Sequence, residues 1–106
     1  MRELALYRAE VLKTRGFDVI TPETKADAIA AIDEGNFDVA VLSYTLSSDT
    51  VEELTELLRQ KCPGCALITI SDTGNIDPKL RPERTVLANE GPAALIKALR
   101  HVLQRH

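Results

Sequence analysis

Cys62 and Cys65, separated by Pro63 and Gly64, have the spacing of a redox dithiol and would supply half the donors of a tetrahedral metal site. A reactive dithiol of this kind follows a strand and opens a helix, whose N-terminal dipole stabilises the thiolate. Here the order is reversed. "ELLRQK" before the pair reads as a helix end and "ALITIS" after it as a strand, so the dipole disfavours thiolate and Pro-Gly suits a helix-to-strand turn. A structural turn is the expected role, with a redox pair as the sharper alternative. Two thiols alone do not complete a zinc site, and His101 and His106 belong to the final helix, so no metal is expected. Ser43, beside Tyr44 and Thr45, carries a hydroxyl, but no histidine with a partner carboxylate is placed to activate it. Asp49, Asp72 and Asp77 fall near predicted strand ends, where open α/β sheets take up ligands. Solvated loop acids are the plain reading, a weak divalent-cation site the sharper one. "SDTGN", residues 71–75, lacks the glycine-rich fingerprint of a phosphate loop.

The elements that must position these residues alternate between helix and strand. Leu4, Tyr7, Val11 and Leu12 recur at helical spacing from Arg2 to Arg15, and Gly16 is placed to end that helix. "FDVI" (17–20) reads as a short strand. In "TPETKADAIAAIDEG", Thr24 and Asp27 have capping-box spacing, Gly35 supplies the stop, and Ala28, Ile29 and Ile32 form the inner face. "FDVAVLS" is apolar on successive positions, as in a parallel strand covered on both faces. Ser48, Asp49 and Thr50 are cap candidates for the next helix, whose buried stripe is Val51, Leu54, Leu57 and Leu58; Glu52, Glu53, Glu56 and Arg59 read as its solvated face. After "ALITIS", the passage 72–83 contains two prolines and leaves space for one helical turn at most, around Lys79. "RTVLA" is a last strand, and Gly91-Pro92 opens a helix that turns Leu95, Ile96, Leu99, Val102 and Leu103 to one side. This alternation means a layered α/β domain.

With 106 residues there is room for one domain, 1–106, and for one real core. The 16 acidic and 13 basic residues are interspersed, the net charge is -3, and no basic stripe appears, so nucleic acid is not an expected partner. The longest apolar runs are too short to span a bilayer, and no secretory leader opens the sequence. A reducing cytoplasm is the expected compartment, in which both cysteines would stay as thiols.

The run "LKTRGFDV", the helix after it, and "FDVAVLSYTLSSDTVEELTELLRQKCPGCALITIS" resemble the receiver domain of bacterial response regulators over nearly the whole chain. The cysteine-proline turn and the final "GP-A-L" helix resemble degenerate, stand-alone members of that family. The resemblance implies a flavodoxin-like doubly wound parallel sheet in three α/β/α layers. It also implies a nucleophilic aspartate, an acidic pair for Mg²⁺, and a hydroxyl and a lysine facing the phosphoryl oxygens. In this sequence the nucleophile's place holds Ser43, the hydroxyl's place holds Ser71, and the lysine's falls near Asn89. The acidic pair belongs to a first strand that the chain is expected to lack, since Met1 already lies near the start of the first helix.

These departures make Ser43, Ser71 and Asn89 degenerate equivalents of a phosphorylation site. The expected function is a non-catalytic pseudo-receiver of the two-component signalling type, without cofactor, acting by contact with a protein partner or by self-association. The rival is a small thiol-redox or ligand-binding protein using Cys62 and Cys65 or the strand-end loops. In the receiver order 2-1-3-4-5 the first strand is central, so its loss leaves unpaired backbone. "FDVI" and "FDVAVLS" could close up directly, Leu4 to Tyr7 could become extended, or a second chain could lend a strand. The last makes a homodimer or strand-exchanged oligomer the expectation. A natural start upstream of Met1 would restore the strand with its acids, leaving Ser43 as the obstacle to phosphorylation.

Overall fold

The computed structural model describes residues 9–22, 24–43, 45–73 and 80–104. Residues 9–14 form α1. It ends where the N–H of Phe17 reaches back to the Leu12 carbonyl at 3.2 Å, a closure that needs the left-handed φ of 91° at Gly16. Helix α2, Lys25–Glu34, is capped by Thr24, whose hydroxyl accepts from the Asp27 N–H at 3.0 Å, and is stopped by Gly35 at φ 66°. Strand β1 is Val39–Ser43 and helix α3 is Ser48–Lys61. The cap of α3 is Ser47, one residue before the candidates read from the sequence. Its Oγ accepts from the Thr50 N–H at 3.2 Å, while Ser48, Asp49 and Thr50 lie inside the first turn. Strand β2, Ala66–Ser71, strand β3, Arg84–Leu87, and helix α4, Pro92–Gln104, complete the order, with a 3-10 turn at Ala88–Glu90.

Among the described residues the sheet is parallel in the order β1-β2-β3, with Val41 opposite Ile68 and Ile70 opposite Val86. The central strand has every residue buried. Its alternation assigns the faces: Ala66, Ile68 and Ile70 join Leu12 of α1 and Leu95, Leu99 and Val102 of α4, whereas Leu67 joins Ile32 of α2 and Leu54 and Leu58 of α3. The result is three layers, α1 and α4 on one side and α2 and α3 on the other.

Two strand expectations change. The segment "FDVI" is not a strand. Phe17 and Val19 pack half-buried against the α1/α4 core, Ile20 is 71% exposed, and residues 17–22 have no regular secondary structure. A strand needs a neighbour to hydrogen-bond, and these residues have none in the sheet described, so direct closure of 17–20 on β1 does not occur. "FDVAVLS" does form a parallel strand, but it is covered unevenly: Val39 and Leu42 are half-buried and Val41 is 37% exposed. It is the edge of the described sheet. The option that extended Leu4 to Tyr7 lies outside the described residues, as does the turn considered near Lys79.

Arg59, read as solvated, is instead a tie between layers. Its guanidinium donates to the Leu80 carbonyl at 3.2 Å and the Arg81 carbonyl at 2.9 Å, and lies 3.5 Å from Glu83. Glu83 in turn accepts the backbone N–H of Leu67 through Oε2 and donates its own N–H to the Leu67 carbonyl at 2.8 Å. This anchors the return from residues 80–83 into β3. One buried polar atom has no partner among the described residues, the hydroxyl of Thr55 on α3. Valine has nearly the same shape without the hydroxyl, so Thr55→Val is expected to raise the unfolding free energy by about 1 kcal/mol, measured by urea unfolding.

Candidate functional site

The parallel register brings the sequence's candidate residues to one edge. Ser43 is the last residue of β1, Ser71 the last of β2, and Asn89 follows the end of β3 within the 3-10 turn. Since Ser43 pairs with Ile70 and Ser71 with Leu87, the three positions sit side by side at the carboxyl ends of successive strands. This is where an open α/β sheet presents its ligand crevice.

The three positions themselves carry two neutral hydroxyls and an amide. Ser43 is half-buried, and its Oγ accepts from both the N–H and the hydroxyl of Thr45 at 3.3 Å, a turn local to the strand end. Ser71 is buried, and its Oγ accepts the Thr73 N–H at 3.3 Å. Asn89 is exposed, and beside it Glu90 is engaged: its carboxylate accepts the Leu87 N–H at 3.1 Å. These bonds hold the strand ends in place. Asp72 is exposed at the edge and Asp49 is exposed in the first turn of α3; Asp77 lies outside the described residues. Among the described residues no group of three or more His, Cys, Asp and Glu side chains could hold a metal ion. None of their helices is long and apolar enough to cross a membrane.

The cysteine pair lies elsewhere, at the opposite end of β2. Cys62 caps α3, its N–H donating to the Leu58 carbonyl at 2.8 Å, and the Cys65 N–H closes a turn onto the Cys62 carbonyl at 3.0 Å. Pro63-Gly64 is thus the helix-to-strand turn that its position implied. The turn sets the Cα atoms of Cys62 and Cys65 5.4 Å apart, which brings the two sulfurs within reach of a disulfide. Cys65 Sγ also lies 3.2 Å from the Phe37 carbonyl, so reduction would leave the buried Cys65 thiol a place to donate. Closing so short a loop restricts the unfolded chain little. Reduction by dithiothreitol is therefore expected to lower stability by no more than about 2 kcal/mol, read as a shift of the urea midpoint.

Sequence reasoning placed the strand-end residues but not Arg59 and Glu83. The two are 24 positions apart in the chain, and only the tertiary fold shows that they meet.

No family model matches the chain, and no curated protein matches it in sequence. Among solved structures it is similar to a response regulator receiver domain protein (CheY-like) from Methanospirillum hungatei JF-1, with a TM-score of 0.81 and 17% identity over 98% of this chain and 87% of that one. At that identity the likeness speaks for architecture: the chain has the flavodoxin-like α/β/α fold of a CheY-like receiver, with a three-stranded parallel sheet among the described residues.

Proposed function

We propose that this chain is a receiver-like signalling module that does not take up a phosphoryl group, is not an enzyme, and acts by protein contact. The observation that carries the reading is the strand-end geometry. The position at the end of β1 is Ser43, a neutral hydroxyl that cannot form the acyl phosphate a receiver's aspartate forms, and its Oγ accepts from Thr45 in a local turn. The contact we favour is self-association along β1. Val39 to Ser43 contains neither a charge nor a proline, the usual protections of a sheet edge, and Val41 on it is exposed. The setting this reading supposes is the cytoplasm and a two-component pathway.

Incubation with radiolabelled acetyl phosphate and Mg²⁺ tests the first part. No stable label is expected, and a stoichiometric base-labile label would overturn the pseudo-receiver reading. Sedimentation across a wide concentration range tests the second. A dimer is expected, and a monomer throughout would remove self-association while leaving the silent receiver standing.

The nearness of the two sulfurs favours one second reading, a thiol-redox protein using Cys62 and Cys65. Their place at the C-terminal end of α3 weighs against it, because the helix dipole there raises the cost of a thiolate. After reduction, alkylation of either cysteine at a rate well above that of a free thiol at neutral pH would favour this alternative.

A further inference from the structure

The turn between α3 and β2 holds two sulfurs that the chain path does not need. Its reversal is made by the exposed Pro63-Gly64 and closed by the Cys65 N–H on the Cys62 carbonyl at 3.0 Å, neither of which uses a side-chain sulfur. The sulfurs are nevertheless brought together, with the Cα atoms 5.4 Å apart. Their surroundings are apolar and reached from one side. Cys65 is buried with Ile32, Leu54, Leu58 and Leu67, whereas Cys62 packs half-buried against the same cluster. Among the described residues no third His, Cys, Asp or Glu joins the pair to make a larger ligand group.

We propose that the reduced pair is a binding site for a soft monovalent cation of the copper(I) or silver(I) class, held between Cys62 Sγ and Cys65 Sγ. The number and type of donors identify the ion. Zinc completes a tetrahedron and needs two further ligands, while a closed-shell monovalent ion is satisfied by two soft thiolates in a line. Binding is an exchange without electron transfer. Two S–H bonds give up their protons to solvent, two sulfur–metal bonds form, and the complex carries one net negative charge. The place in the fold makes this exchange demanding and therefore selective. At the C-terminal end of α3 the dipole opposes added negative charge, as does the burial of Cys65, so only an ion with strong bonds to sulfur displaces both protons. Lys61 supplies a countercharge next in the chain: it is exposed in the last turn of α3 and is used by none of the ion pairs found among the described residues. This inference does not depend on whether Ser43 takes a phosphoryl group, and it differs from the thiol-redox reading in that no disulfide is made or broken.

The test is competition for copper(I) between the full reduced chain and the chromogenic chelator bicinchoninate, under argon with a phosphine reductant. Withdrawal of one ion per chain is expected. The affinity should exceed by roughly tenfold or more that of a peptide of residues 60–67, because the fold has already brought the sulfurs together. It should fall roughly hundredfold or more in Cys62→Ser, which leaves a single thiolate, and change by less than about twofold in His101→Gln, which removes a different soft donor. Should Cys62→Ser disturb the circular dichroism spectrum, Cys62→Ala takes its place, with the same direction expected. The proposal is overturned if the chelator keeps the copper, if Cys62→Ser binds as tightly as the unaltered chain, or if His101→Gln loses as much affinity as Cys62→Ser. It is also overturned if the peptide matches the folded chain, or if the chain withdraws zinc(II) from a zinc chelator as readily as it withdraws copper(I).

Discussion

Replacing Glu83 by alanine is expected to lower the unfolding free energy by about 2 to 3 kcal/mol, more than any other exposed or half-exposed charge described above. The size follows from what the carboxylate holds. The Leu67 N–H is at the entry of the central strand, on a residue with 0% of its surface exposed, and Glu83 Oε2 is its acceptor. Without it a buried donor is left unpaired, and the cost of that desolvation is not recovered. The ion pair with Arg59 adds less than about 1 kcal/mol, because both side chains are about one third exposed and solvent screens them. Glu83→Gln keeps an acceptor oxygen and should cost about half as much as the alanine change. Glu53→Ala, which breaks the half-exposed pair with Lys25, should stay within about 0.5 kcal/mol. Urea unfolding with unchanged slope measures all three. A Glu83→Ala chain as stable as Glu53→Ala would show that the Leu67 N–H finds another partner.

Leu67→Ala is the second large effect, expected to cost about 3 to 4 kcal/mol. Leu67 is fully enclosed between β1, β3, α2 and α3, packed with Ile32, Leu54 and Leu58, and its neighbours on the central strand are held on both sides by the ladder. The site therefore has little freedom to collapse around the missing atoms, and the cavity contribution adds to the lost transfer free energy. Leu46→Ala, on a side chain 38% exposed, is the control and should change stability by less than about 0.5 kcal/mol. A loss below about 1.5 kcal/mol in Leu67→Ala would mean that α2 or α3 moves in to fill the space.

What the sequence made legible was local or periodic. Thr24 and Gly35 bracket α2 because capping chemistry is written in adjacent residues, and Leu54 and Leu58 are buried because helical spacing places them on one face. The strand ends at Ser43 and Ser71 could be located because unbroken apolar runs stop there. Two errors have a shared cause, since a run such as "FDVI" or "FDVAVLS" reveals its preference for extended backbone but not whether a neighbour exists to pair with it. The α3 cap falls at Ser47 and not at Ser48, Asp49 or Thr50, a choice among neighbouring residues of similar capping chemistry that backbone geometry decides. The tie of Arg59 with Glu83 was hidden because it joins positions that are distant in sequence.

The burial of β2 on both faces has a consequence for how the molecule comes apart. One strand is the floor of the α1/α4 core and also of the α2/α3 core, so neither half retains a wall if the other opens. Melting is accordingly an indivisible event, and the calorimetric and van't Hoff enthalpies should coincide. The amides expected to resist hydrogen exchange longest are those of Ala66 to Ser71.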